Sequence, residues 1–308
     1  MRAGVQLAVR LAAASVIAVV LAMIVYLVFV RTALGQRFDN AVLLGSQEQS
    51  ASSRSASAST LSRITKDSFA VVLVGIVIFG AVRRRIRLGI AAALGALIAV
   101  VGVDGLRRVI LQRPFLIHTD TFGGNDNTFP SGHTATAIAC ALALVIVSPP
   151  AWRGICAVVA GSYAWLTAVQ VQTATWHRPS DAIGAALLAF ASVAMLAAVI
   201  ALWRPIGIGR RFGDVPAFIV LAGIWIVTGI VSAVNAARVL HYLLAHDTAL
   251  TPTPAVLDDA YHFSTNLTIM VVVTLLATLL LLLGPADLDE PVRQRQLQPE
   301  VEPQDSQT

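Results

Sequence analysis

Long apolar runs separated by short polar segments set the pattern of this chain. A helix needs about 20 apolar residues to cross roughly 30 Å of hydrocarbon. The first run, 11–30, has that length and carries no charge. A signal peptide would have a shorter apolar core and a small-residue cleavage site. Here Arg31-Thr32-Ala33-Leu34-Gly35 follows, which predicts a retained anchor. Seven further runs lie at about 68–82, 88–106, 131–148, 154–175, 182–203, 216–239 and 264–284. The pattern predicts an all-α fold, a polytopic transmembrane helical bundle of about eight spans.

Composition agrees. Of the 308 residues, 56% are hydrophobic and 13% charged, against roughly 25% charged in ordinary globular domains. A soluble surface is excluded, and so is disorder, which needs low hydrophobicity and high net charge. The net charge of +5 is read as a topology signal rather than as affinity for nucleic acid. With the N-terminus in the cytoplasm, eight spans put Arg83, Arg84, Arg85, Arg87, Arg153, Arg204, Arg210, Arg211, Arg293 and Arg295 inside. That is the positive-inside arrangement. Both termini are then expected in the cytoplasm of a cell-membrane protein. Of the 22 basic residues, only Lys66 is a lysine; the Arg and Ala bias suggests a bacterial source. Cys140 and Cys156 both fall in apolar runs, which argues against a disulfide framework.

The expected organisation is an anchor span (1–30), an extracytoplasmic loop (31–67), a membrane core (68–205), two added spans with an outside loop (206–284) and a tail (285–308). The first loop is Ser/Ala-rich over 46–62, and that stretch reads as a flexible linker. The Gln/Pro/Glu-rich tail reads as disordered and cytoplasmic.

Function has to come from polar residues that a membrane would otherwise reject. Three clusters fall on the outside face. The first runs from Arg107-Arg108 to Arg113-Pro114, and arginine binds phosphate oxygens bidentately. Asp104, one turn earlier, is placed to pair with Arg107 or Arg108. The second is Pro130-Ser131-Gly132-His133. Ser131 is a helix N-cap, Gly132 admits a ligand close to the backbone, and the free N–H groups favour an anion beside His133. The third is His177-Arg178-Pro179-Ser180-Asp181. His177 and Asp181 share a helical face, so the carboxylate can fix the tautomer of the imidazole. Read singly, a Ser-Gly helix start is a cap, His-x3-Asp is a common spacing, and interfacial arginines anchor.

Together the clusters resemble the type 2 phosphatidic acid phosphatase superfamily, which shares its core with bacterial acid phosphatases and vanadium haloperoxidases. Its pattern is Lys-x6-Arg-Pro, Pro-Ser-Gly-His, then Ser-Arg-x5-His-x3-Asp. The resemblance spans about 60–205; the second motif is matched in full at 130–133 and His-x3-Asp at 177–181. The lysine position is Leu106, with Arg107 and Arg108 beside it, and the Ser-Arg position is Gln170-Val171.

The resemblance implies that His177 attacks phosphorus, Asp181 orients it, and His133 protonates the leaving group and then activates water. It further implies that Arg113, Ser131 and Gly132 bind phosphate oxygens. Arg107 or Arg108 would replace the lysine, and Arg178 the missing arginine. No metal and no cofactor are implied. The expected substrate is a lipid phosphate or pyrophosphate at the outer leaflet, with the bilayer as the other partner. A phosphotransferase and a degenerate lipid-phosphate binder are the alternatives. A transporter and a haloperoxidase are disfavoured. His118 would line the entrance. His241, His246 and His262 with Asp247, Asp258 and Asp259 read as a polar loop, their spacings matching no metal-ligand pattern.

Overall fold

The computed structural model describes residues 2–117, 127–203, 206–208, 214–246 and 252–288. Among them are ten α-helices: α1 (Arg2–Val25), α2 (Ala33–Glu48), α3 (Ala51–Leu61), α4 (Lys66–Val82), α5 (Ile86–Gly105), α6 (Gly132–Val147), α7 (Arg153–Thr173), α8 (Pro179–Trp203), α9 (Asp214–Ala245) and α10 (Pro254–Leu283). π-helical turns, Tyr26–Val30 and Leu106–Ile110, extend α1 and α5. Two short strands, β1 (Ile206–Ile208) and β2 (Ala286–Leu288), pair antiparallel. The protein is an all-α, multi-pass helical bundle. Six helices are long and apolar enough to cross a membrane, or seven if α3 and α4, bent by 58° at their junction, count as one. α6 is apolar but shorter. The eight expected runs therefore correspond to α1 and α4 to α10.

Packing follows the logic of lipid-embedded helices, where small residues let backbones approach and large apolar ones face outward. Ala92, Ala96, Ala139, Ala143, Ala189 and Ala197 are buried between α5, α6 and α8. A Cβ on Gly80 would lie 2.8 Å from the Gly89 Cα, so α4 and α5 touch through glycine. Conversely, Val71, Val109, Val159 and Ile219 are exposed. In water they would be a defect; against acyl chains they are the ordinary solution.

Three expectations need correction. The stretch 46–62 is not a flexible linker, because the end of α2 and the whole of α3 occupy most of it. Their caps explain the helices. Thr32 accepts from the Gly35 N–H and Ser50 from the Ser53 N–H, and alanine between the serines carries the helix. The loop expected over 240–263 is shorter, because α9 runs to Ala245 and α10 begins at Pro254. The tail is not wholly disordered. Ala286–Leu288 pairs with Ile206–Ile208, and Arg85 binds both Asp287 and, at 2.9 Å, the Leu288 carbonyl. Residues 289–308 lie outside the described residues.

Candidate active site

Two helix starts and one π turn build the site. α6 begins at Gly132 with Ser131 as N-cap, its hydroxyl accepting from the Thr134 N–H at 3.4 Å. The Ser131 N–H donates to the Asp181 carbonyl at 3.0 Å, which ties the start of α6 to that of α8. Phe129 seats against Gly184, where a Cβ would come within 2.5 Å of the ring, so that glycine is required for close approach. The tight turn after α7 lifts His177: the N–H groups of Trp176 and His177 both donate to the Val171 carbonyl, and Thr175 takes φ 60°. The π turn Leu106–Ile110 presents Arg107 and Arg108, and Asn127 holds it by donating to the Arg107 and Leu111 carbonyls.

His133 and His177 line one cavity of about 720 Å³, with Gly132, Thr136, Asp104, Arg107, Arg108, Thr65 and Lys66. The His133 ring packs 5.4 Å from that of Trp176. His177 Nδ1 lies 3.4 Å from Asp181 Oδ2. Asp181 is fully buried, and its Oδ2 also accepts from the Thr128 hydroxyl at 2.5 Å and the Arg178 N–H at 3.0 Å. With Nδ1 held by the carboxylate, Nε2 is the ring nitrogen left for chemistry. Gly132 faces open space, since a Cβ there would meet nothing within 4 Å.

The remaining sequence-predicted residues are placed differently. Arg113 is not among the residues lining the cavity. Its Nη2 lies 3.0 Å from Asp39 Oδ2 and 3.4 Å from Asp181 Oδ1, with its side chain 4% exposed. Two buried carboxylates hold it beneath the site. Burial alone would lower the Arg113 guanidinium, but the charges of Asp39 and Asp181 hold it above its ordinary value. Arg178, expected to replace the missing arginine, is also buried and outside the cavity lining; its Nε donates to Asn40 Oδ1 at 3.0 Å. Ser131 is likewise buried and spends its hydroxyl on its own cap. Arg107 and Arg108 do line the cavity, but both are paired with Asp104, at 2.6 and 2.8 Å. His118 and Asp247 lie outside the described residues. His262 pairs with Asp258, and Arg238 with Asp259. Among the described residues no group of three or more His, Cys, Asp or Glu is placed to hold a metal ion.

Sequence reasoning missed Lys66, Asp39, Asn40 and Ser180. Lys66 opens α4 and reaches the cavity from the far side. Its signal was its being the chain's one lysine. Asp39 accepts from the Ser180 hydroxyl at 2.6 Å and the Ser180 N–H at 3.3 Å. Burial pushes the Asp39 carboxyl above the usual carboxylate range, against the pull of Arg113. Val171 is packed in an apolar cluster with Leu61 of α3, Ala174 and Ala182. Leu61 of α3 therefore packs at the position where the family's motif carries an arginine.

The family model of the PAP2 superfamily matches residues 46–205, which include both histidine motifs. The chain belongs to the PAP2 superfamily. No curated protein and no solved structure matches it. PAP2 superfamily members are phosphatases, and the two histidines on one cavity belong to Pro-Ser-Gly-His, matched in full, and to the His-x3-Asp part of the third motif. The PAP2 match begins near the end of α2, so Tyr26, Gln36, Asp39 and Asn40 stand outside it.

Proposed function

We propose that the protein is an integral membrane phosphatase that hydrolyses a lipid phosphate or pyrophosphate through a phosphohistidine. The observation that carries this reading is the single cavity shared by His133, His177 and the cations Lys66, Arg107 and Arg108. His177 Nε2 attacks phosphorus; the N–P bond forms as the bond to the leaving oxygen breaks. His133 donates a proton to that oxygen. Water then attacks phosphorus, the P–N bond breaks, and His133 takes up the proton. The cations and the free N–H groups at the start of α6 stabilise charge on the non-bridging oxygens. No step calls for a metal.

The lipid is supported by the cavity's walls. Below the polar rim it is bounded by Leu73, Leu97, Val100 and Val101. A second groove, of about 530 Å³, shares Ile64, Phe69 and Thr136 with it and runs along α4, α6 and α7 past Gly75 and Leu144. The arginine asymmetry of the sequence supports an extracytoplasmic histidine end with both termini in the cytoplasm.

The purified full chain in detergent is expected to release phosphate from lipid phosphates and to form an acid-labile phosphoenzyme. His177→Ala is expected to abolish both. Undiminished turnover by that variant would overturn the mechanism. A non-enzymatic lipid-phosphate binder is the second reading, favoured by the engagement of Arg113 with Asp39 and Asp181. Lipid phosphate that raises the melting temperature of wild type without being hydrolysed would establish it.

A further inference from the structure

Most of helix α2 lies outside the matched segment, yet it reaches the floor of the site. Its placement is tightly determined. A Cβ on Gly35 would lie 2.1 Å from the Val28 carbonyl oxygen, and one on Gly45 would lie 2.1 Å from that of Leu257 in α10. Around the Arg113 segment, the Tyr26 hydroxyl donates to the Gln112 carbonyl at 2.7 Å, and Gln36 Nε2 donates to the Pro114 carbonyl at 2.7 Å. Asp39 then meets Arg113 itself, and the adjacent Asn40 meets Arg178.

We propose that Asp39 is a positioning residue for the nucleophile: by taking a share of Arg113, it leaves the Asp181 carboxylate free to serve His177. Three donors face the two oxygens of Asp39, from Arg113 and from the Ser180 N–H and hydroxyl, an arrangement that favours its ionised form against the pull of burial. Without it, Arg113 would pair one-to-one with Asp181 and quench the charge that steadies an imidazolium or phosphoimidazolium. The helices α1, α2 and α10 thus act as a buttress that sets the electrostatics of the core they surround.

The proposal rests on the phosphatase reading. The charged groups around His177 are Asp181 and Arg178 next to it, Arg113 behind Asp181, His133 on α6, Lys66 on α4, and Arg107, Arg108 and Asp104 across the cavity. Asp39→Asn keeps the shape and removes one negative charge. An imidazole that loses nearby negative charge protonates at lower pH. The acidic limb of the kcat/KM profile on dioctanoyl phosphatidic acid should therefore move down by about one pH unit. Asn40→Asp adds a negative charge beside Arg178 and should move the limb up. A purely structural role would lower the amplitude and leave the limb in place. An unmoved limb in either variant overturns the proposal, and Asn40→Asp decides alone if Asp39→Asn does not accumulate as folded protein. An inactive His177→Ala beside an unmoved limb would sink this proposal while sparing the phosphatase reading.

Discussion

Both ends of the bundle bury arginines, and they use them in different ways. At the histidine end, Arg113 contacts two carboxylates, Asp39 and Asp181, and Asp181 in turn holds His177. At the opposite end, arginines bind mainly backbone carbonyls. Arg83 donates to Val147, Arg153 to Ala286 at 2.6 Å, and Arg85 to Leu288 as well as to Asp287. The carbonyls there belong to helix ends and to β2, groups that need donors wherever water is scarce. Those arginines fasten chain ends together. Arg113 is part of a chain of charges that ends at the imidazole of His177. Burial and charge are alike at the two ends; the partner's own partner distinguishes them.

The largest effect that tests this contrast, short of removing a histidine, is expected at Lys66. The family's lysine position is Leu106, and Val171 takes the place of an arginine, so the cavity has few cations. Of those that line it, Arg107 and Arg108 already share Asp104. Lys66→Ala is expected to lower kcat about a hundredfold, the usual loss for one transition-state donor, and Lys66→Arg to restore part of it. Wild-type turnover in Lys66→Ala would remove the residue from the site.

A smaller effect is expected in the groove beside α4. A side chain at Gly75 would enter open space, since nothing lies within 4 Å of its built Cβ. Gly75→Phe should therefore fill the groove without disturbing the protein. It is expected to raise KM for a long-chain lipid phosphate about tenfold, the value of one or two lost methylene contacts. It should leave a short, water-soluble phosphoester unaffected. Equal changes for both substrates would show that the groove holds ordinary bilayer lipid.

The eight apolar runs were legible because hydrocarbon thickness fixes a length, and that length shows in hydropathy. The helix ends were less so. α9 and α10 continue as polar turns past the apolar limit, held by pairs such as Arg238 with Asp259, which hydropathy does not register. His133, His177 and Asp181 were legible because their spacing ties them to helix starts. Asp39 and Asn40 were not, because α2 buries them together with Phe38, Ala41, Val42 and Leu43 in a helix too short and too polar to register as a membrane span. Lys66 stood out in composition, but only the fold shows that the start of α4 meets the starts of α6 and α8.

The smallest effect on catalysis is expected where the burial is just as deep. Arg85 is 9% exposed and contacts Asp287, 14% exposed, and the Leu288 carbonyl. Arg85→Met keeps the aliphatic bulk of the side chain and leaves Asp287 and that carbonyl without their donor. Losing one partner of a mostly buried pair costs about 2–4 kcal/mol. In a protein of this size that lowers the melting temperature by several degrees. The charge lies at the other end of the bundle from His177, so kcat and the acidic limb should stay as in wild type. If Arg85→Met instead moved that limb as Asp39→Asn is expected to, the two ends would be electrostatically coupled. The separation of a fastening end from a reacting end would then fail. A lower melting temperature with an unmoved limb is the outcome that a fastener produces.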